Sequence, residues 1–314
     1  MTSRILVLGA AGRFGFVAAG AFRDAGWMVS SLVRPGTGKR APRGTEIIEA
    51  QALDHEAVAR AAEGADVVLH ALNPAITAWS TQAMPLAYSA VTAAEAAGAT
   101  LIFPGNVYNY GSPMPAVIDE TTPMRATSYK GRLRIAIEDR LQEAAEERGV
   151  RTILLRAGDF FGAGHGSWLD LVIAKDITRL RLTYPGPLDV VHSWAYVPDL
   201  AATMVKLAAV RDTFKAYETF GFPGHAVTGE EFTRALARAV RNRLRVKRMS
   251  WWLIHALSPF VPLPKELSEL HYLWKEPHRI DGSKLQAAIG EMPHTPLDLA
   301  AARAIQDFAV DIER

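Results

Sequence analysis

The sequence contains no cysteine among its 314 residues. Disulfide bonds, a catalytic thiolate and metal centres with cysteine ligands are therefore excluded. The nine histidines are scattered without the spacing of a metal-ligand motif, so we expect no metal site.

Long apolar segments are also absent. A helix that spans a bilayer needs ~20 apolar residues, and the nearest candidate, residues 251–263, is interrupted by His255, Pro259 and Pro262. The first residues lead directly into an apolar strand, so we expect neither a signal peptide nor a membrane anchor. A cytoplasmic protein is the resulting expectation.

Neither sign of charge predominates. The 35 lysines and arginines are balanced by 33 aspartates and glutamates, for a formal net charge of +2. The most basic stretch, residues 234–248, carries Arg234, Arg238 and Arg241 on one face of a predicted helix, opposite apolar residues, as solvent-exposed helices do. We therefore expect no nucleic-acid partner.

The most informative stretch is a glycine-rich turn near the start of the chain. An apolar run at residues 5–8 leads into Gly9, Gly12 and Gly15, and a helical pattern follows. Gly9 permits a tight turn, Gly12 lets a pyrophosphate approach the backbone, and Gly15 lets helix and strand pack closely. The helix N-terminus then offers free N–H groups to the phosphates. This strand–turn–helix context predicts dinucleotide binding.

Short apolar runs alternate with helical patterns after this turn. Further strands are predicted at residues 27–33, 45–49, 66–70, 100–103 and 151–156, and helices at residues 54–62, 84–97 and 128–148. The alternation indicates a parallel sheet covered on both faces. Right-handed crossovers make this an α/β protein with a Rossmann-type doubly wound sheet, which binds its ligands at the carboxyl ends of the strands.

The pattern loosens beyond residue 160. Strands are predicted at residues 180–184, 190–194 and 217–220, and helices at residues 197–210, 228–242 and 296–310. The sequence contains no internal repeat and no low-complexity linker. We therefore expect a nucleotide-binding domain formed by residues 1–160, with residues 190–215 also belonging to it. Residues 161–314 then form most of a small, discontinuous α/β substrate lobe.

These motifs, in this order, resemble the extended short-chain dehydrogenase/reductases, the NAD(P)-dependent epimerase/dehydratase group. The marks are the Gly-x-x-Gly-x-x-Gly turn, Asn73 after the fourth strand, and residues 103–108, 155–162 and 196–201 after later strands. The resemblance implies an NAD(P) cofactor and its contacts. The expected cofactor-binding residues are Gly9, Gly12, Arg13, Phe14, Gly15, Arg34, Asn73, Pro104, Lys130 and Arg134.

The catalytic positions of that family are altered in this chain. The family uses a Ser or Thr together with a Tyr-x-x-x-Lys pair on one helix. Aligning the long helix by its later part puts Lys130 in the tyrosine position, Arg134 in the lysine position and Pro104 in the Ser/Thr position. A second register keeps Tyr129 as the tyrosine but puts Leu133 in the lysine position. We prefer the first, because it keeps a cationic pair one helical turn apart.

Two readings of the altered site remain open. Two facing cations disfavour each other's charge, and of the two only Lys130 can lose its proton, which makes it the candidate proton donor for carbonyl reduction. In the other reading Lys130 and Arg134 only bind ribose or phosphate. Asn106 and Tyr108, just past the fifth strand, are candidates to replace the missing Ser/Thr hydrogen bond, or else line the cleft. Trp79 is a candidate to line the substrate pocket, or else a core or lid aromatic.

The end of the second strand indicates which dinucleotide is bound. Arg34 stands where an NAD-selective protein would place an acidic residue, and Lys39, Arg40 and Arg43 follow it. A guanidinium can stack on adenine and pair with a 2′-phosphate. We therefore expect NADP(H) to be preferred, with NAD(H) as the alternative.

The sequence as a whole predicts an NADP(H)-dependent oxidoreductase or epimerase-like enzyme acting on a small carbonyl or hydroxyl substrate. The alternative is a catalytically silent NADP(H)-binding sensor that reports to a partner. A homodimer through the helices at residues 84–97 and 128–148 is compatible with their amphipathic faces, and so is a monomer.

Overall fold

The structure is a computed structural model that describes residues 2–312, and the side chains of residues 2–307. Its strands, in chain order, are β1 (Arg4–Leu8), β2 (Met28–Val33), β3 (Glu46–Glu49), β4 (Val67–His70), β5 (Thr100–Gly105), β6 (Val117–Ile118), β7 (Thr152–Arg156), β8 (Asp159–Phe161), β9 (Arg181–Tyr184), β10 (Val191–Tyr196), β11 (Tyr217–Gly221), β12 (His225–Thr228), β13 (Arg245–Arg248) and β14 (Arg279–Ile280).

Helices separate most of these strands. They are α1 (Arg13–Asp24), α2 (His55–Ala61), α3 (Trp79–Ala97), α4 (Tyr129–Glu147), α5 (Val197–Ala209), α6 (Gly229–Ala239), α7 (Trp251–Leu257), α8 (Pro262–Ser268), α9 (Ser283–Ile289) and α10 (Leu297–Ile312).

Seven strands form one parallel sheet in the order β11-β7-β5-β4-β1-β2-β3. Alternate residues of β1 enter different cores: Ile5 and Val7 pack on the side of α1 and α5, and Leu6 and Leu8 on the side of α2, α3 and α4. Successive side chains of a strand point to opposite faces, so both faces are apolar and covered. The predicted α/β doubly wound fold is confirmed.

A smaller lobe is built from the later strands. β10 pairs with β8 in parallel and with β12 in antiparallel, while β9 pairs with β13 and β6 with β14. Its core is aromatic: the rings of Trp194 and Phe232 are stacked 4.3 Å apart, and Phe161 and Trp274 are also buried there. The lobe lies at the end of the large sheet where the parallel strands finish, since β8 follows directly after β7.

Residues 190–215 divide between the two parts. β10 belongs to the lobe's sheet, whereas α5 packs against α1 of the large sheet. β11 completes the large sheet at its edge beside β7. The boundary at residue 160 stays a prediction, as does a homodimer through the neighbouring helices α3 and α4.

Among the residues that the structure describes, none of the helices combines the length and the apolarity needed to cross a membrane. Of the large apolar side chains that the structure describes, those of Trp252 and Phe260 are the most exposed, and they lie in and just after the short helix α7.

Candidate functional site

The glycine turn has the geometry that a nucleotide requires. Gly9 has φ of +88°, and its N–H donates to the carbonyl of Leu32 in β2 at 3.0 Å. A Cβ on Gly15 would lie 2.3 Å from the Gly9 carbonyl oxygen, so only glycine fits there. Gly12 caps α1 with no side chain on the first N–H groups, which leaves that helix end open to an anion. These features fit an NAD(P) pyrophosphate.

Arg13 and Phe14 lie at the start of the same helix. The Arg13 guanidinium donates to the carbonyls of Phe160 and Gly162 at 3.5 and 3.3 Å. The Phe14 ring is buried and lies 5.8 Å from the Phe160 ring. Both side chains therefore join the glycine turn to β8, and Arg13 places a positive charge beside the open helix end.

Arg34 is exposed directly after β2, next to the glycine turn. The carboxylate of Glu49, on the neighbouring strand β3, accepts the N–H groups of Gly36 and Gly38 at 3.0 and 3.1 Å. Both Glu49 oxygens thus hold the backbone of the loop that follows Arg34. Lys39, Arg40 and Arg43 of the same segment are also exposed.

Asn73, Pro104 and Arg134 meet at the carboxyl edge of the sheet through the buried side chain of Trp79. The Trp79 indole donates to Asn73 Oδ1 at 3.2 Å, and the Arg134 guanidinium carbon lies 5.0 Å from the Trp79 ring. Arg134 also donates to the Pro104 carbonyl at 3.4 Å, while its Nε has no partner in the described part of the chain. Trp79 is the wall that joins these three predicted cofactor contacts.

Lys130 lies one turn before Arg134 on α4, and its side chain has different partners. Its ammonium group bonds to the carboxylate of Glu266 and lies 3.8 Å from that of Glu269, both on or next to α8. The Lys130 side chain is 2% exposed. Lys130 therefore ties the start of α4 to the lobe, and each of the two cations has its own partner.

Tyr108 and Asn106 lie in the turn after β5. Asn106 Oδ1 accepts the N–H of Tyr108 at 3.1 Å, which leaves its amide NH₂ group for other acceptors. Burial, and secondarily the charge of Asp159, raise the pKa of Tyr108 well above its ordinary value. Its phenol therefore stays protonated and can donate a hydrogen bond. The Tyr108 ring lies 6.4 Å from that of Trp79.

The sequence did not predict a pair formed by a carboxylate and an imidazole in the neighbouring strands β8 and β10 of the lobe. Asp159 Oδ2 lies 2.9 Å from Nε2 of the buried His192, and His192 Nδ1 lies 3.3 Å from the Leu273 carbonyl. Each ring nitrogen of His192 therefore faces an oxygen atom of another residue. The signal in the sequence was the position of Asp159, one residue past Gly158 after the sixth strand. His192 gave no signal inside its strand.

The family is decided by a match over most of the large sheet. The model of the NAD dependent epimerase/dehydratase family matches residues 5–221. The chain belongs to the NAD-dependent epimerase/dehydratase family. The matched range begins in β1 and ends with β11, so it covers every strand of the seven-stranded sheet.

Three individual proteins are similar to this chain. The chain is 27% identical over 297 residues to a 3-diazoavenalumate denitrifying reductase from a Streptomyces species, covering 88% of this chain and 96% of that protein. The UDP-glucose 4-epimerase from Brucella ovis, solved in complex with NAD, is similar with a TM-score of 0.77 at 17% identity, covering 96% and 97% of the two chains. The Thermotoga maritima enzyme, solved with UDP-glucose, has a TM-score of 0.77 at 16% identity, covering 98% and 99%. At these identities the solved structures bear on the fold alone.

Proposed function

We propose that this epimerase/dehydratase-family protein is an NADP(H)-dependent reductase of a small carbonyl substrate. The cofactor preference rests on one observation: Arg34 is exposed, and the nearby carboxylate of Glu49 is already hydrogen-bonded to the backbone of the loop that follows Arg34. The exposed Arg34 can meet a 2′-phosphate, and the carboxylate of Glu49 on β3 already accepts the N–H groups of Gly36 and Gly38. A cytoplasmic location goes with the proposal, because such a reductase draws on the cell's NADPH pool.

The cofactor preference is tested by direct binding. Titration of the protein with NADPH and with NADH, followed by nucleotide fluorescence, should give at least ~10-fold tighter binding of NADPH, since one charge-assisted pair is lost with NADH. Tighter binding of NADH would contradict the preference and leave the family assignment intact.

The residues around the expected nicotinamide have distinct proposed roles. The nicotinamide, when bound, supplies the hydride. Arg134 binds ribose or phosphate at the sheet edge, where its Nε has no hydrogen-bond partner among the described residues. Tyr108, kept as a phenol, and the Asn106 amide donate hydrogen bonds to the substrate oxygen. The proton that this oxygen needs after hydride transfer is assigned to Lys130, whose ammonium group must first leave the carboxylate of Glu266.

A second candidate substrate class follows from the Streptomyces relative, which is named as a denitrifying reductase of a diazo compound. Hydride transfer to an arenediazonium carbon forms a C–H bond, breaks the C–N bond and releases N₂ with that bond's electron pair. This reaction balances without a proton donor. A site with proline and lysine in place of the family's Ser/Thr and tyrosine suits it for that reason.

One variant separates the two reactions. Lys130→Arg keeps a cation for Glu266 but cannot donate a proton at neutral pH. We expect it to bind NADPH normally, to lose carbonyl reduction by ~100-fold or more, and to retain turnover of a benzenediazonium salt. The assay panel consists of aldehydes, ketones, nucleotide sugars and that salt. NADPH binding without oxidation by any of them would contradict both reductase proposals and favour the silent sensor.

A further inference from the structure

Three residues distant in sequence meet at the N-terminal end of α5, the helix that packs against α1 of the large sheet. Asp199 lies in the first turn of α5, His225 begins β12, and His294 precedes α10. One ligand-capable atom of each lies within 4.8 Å of the others. Because the three come from separate elements, their spacing in the sequence gives no metal motif.

His225, like Asp199, is a buried member of this cluster. It is 5% exposed, and its Nε2 has no hydrogen-bond partner in the described part of the chain. A buried ring nitrogen without a hydrogen-bond partner is costly unless something occupies it, and imidazole nitrogens are the commonest metal ligands in proteins.

Asp199 is already fixed in orientation. Its Oδ2 accepts the N–H of Thr295 and its Oδ1 accepts the Thr295 hydroxyl, each at 2.7 Å. An ionised carboxylate has about four lone-pair sites, so two remain after these bonds. Outer hydrogen bonds of this kind orient the carboxylates that bind metals.

His294 is the exposed member of the cluster. Its ring lies 4.8 Å from the His225 ring, and it borders an open pocket of ≈ 500 Å³ that Phe222, Pro223 and Met292 also line. The pocket gives solvent access to the cluster. Tetrahedral zinc with bonds of ~2.1 Å places its ligand atoms about 3.4 Å apart, and the three candidate ligand atoms already lie within 4.8 Å of one another.

We propose that Asp199, His225 and His294 bind one divalent transition-metal ion of the Zn²⁺ type, with water from the pocket as the fourth ligand. Two imidazoles and one carboxylate favour zinc or cobalt over Mg²⁺ and Ca²⁺, which prefer all-oxygen sites. The ion would join α5 and β12 to the segment that leads into α10. The site is separate from the residues proposed to bind NADP(H) and substrate.

The test is metal binding to the untagged full-length chain. Isothermal titration with Zn²⁺ should give one equivalent, and Co²⁺ should give the visible d–d bands of tetrahedral coordination that Zn²⁺ then removes. His294→Gln and His225→Gln should each weaken Zn²⁺ binding by at least ~10-fold. Mg²⁺ and Ca²⁺ should not compete.

His255→Gln is the matched control. His255 Nε2 lies 2.9 Å from Nδ1 of His271 at an exposed position, so this second pair of imidazoles is the natural place for adventitious binding. We expect His255→Gln to bind Zn²⁺ as the unchanged protein does. Unchanged affinity in His294→Gln, or a loss confined to His255→Gln, would overturn the proposal. If His225→Gln fails to fold, the exposed His294 variant still decides.

Discussion

The ammonium group of Lys130 is bonded to the carboxylate of Glu266, and this contact joins the first turn of α4 to α8. Lys130 is almost completely buried and Glu266 is 14% exposed. Removing one member of such a pair leaves a buried charge without compensation, whereas removing both does not. The pair therefore bears on stability as well as on chemistry.

We expect Lys130→Met to lower the free energy of unfolding by about 3–5 kcal/mol. Glu266→Gln should lower it by less, because the carboxylate of Glu269 stays 3.8 Å from the ammonium group. The double variant should lose clearly less than the sum of the two. Urea unfolding of the four proteins gives the coupling energy directly. Strictly additive losses would mean that the two side chains do not stabilise each other.

Arg34 is expected to select the cofactor. Arg34→Glu replaces a cation by an anion at the 2′-phosphate position, so NADPH should bind at least ~10-fold more weakly. The affinity for NADH should change much less, because NADH has no 2′-phosphate. Arg60→Glu makes the same charge change on the exposed face of α2, where Arg60 contacts only Glu56 among the charged groups of the described chain. It should leave both dissociation constants within about twofold, as measured by nucleotide fluorescence.

Gly15 and Gly20 lie on the same helix and offer a matched comparison. A Cβ on Gly15 would meet the Gly9 carbonyl oxygen at 2.3 Å, whereas a Cβ on Gly20 has nothing within 4 Å. Gly15→Ala should distort the turn and abolish measurable NADPH binding. Gly20→Ala should bind normally and gain about 0.5–1 kcal/mol of stability from its better helix propensity. Normal binding by Gly15→Ala would contradict the cradle.

Buried neutral histidines should make the fold sensitive to mild acid. Burial lowers the pKa of His70 to about 3 and that of His278 to about 4, below the unfolded value of about 6.5. Between these pKa values the unfolded chain binds more protons than the folded chain. The free energy of unfolding is therefore highest above about pH 6.5 and falls as the pH drops below it. Each histidine contributes up to ~1.4 kcal/mol per pH unit.

Urea unfolding at pH 7.5, 6.0 and 5.0 measures this slope. His278→Asn keeps a donor near the position of Nδ1, which bonds to the Glu276 carbonyl, but removes the titrating ring. Its slope should be smaller than that of the unchanged protein by about one proton. Equal slopes in the two proteins would exclude His278 as a source of the acid sensitivity.

The large sheet was predictable because its signals are local. The apolar runs became strands within one or two residues of the predicted bounds, and Thr228 with Glu231 forms the capping box at the start of α6. α3 begins at Trp79, five residues before the predicted residue 84, and contains Pro85. Packing of Trp79 on the sheet outweighed the usual effect of an internal proline.

The candidate site was predictable only where the chain itself carries the geometry. The glycine turn, Arg34, Asn73 and Arg134 follow from their places at strand and helix ends. The partners of Lys130 come from residues more than 130 positions later, and His192 meets Asp159 across 33 positions. Such contacts depend on how the lobe packs, which no local pattern in one sequence encodes.

The position of β11 has a consequence for how the chain can be divided. β7 pairs with β5 on one side and with β11 on the other. A fragment that stops near residue 160 would leave the apolar strand β7 as a bare edge, with unpaired N–H and C=O groups able to recruit a second chain. During synthesis the nucleotide-binding sheet stays open to such pairing until Tyr217–Gly221 has been made, so its assembly waits for about two-thirds of the chain.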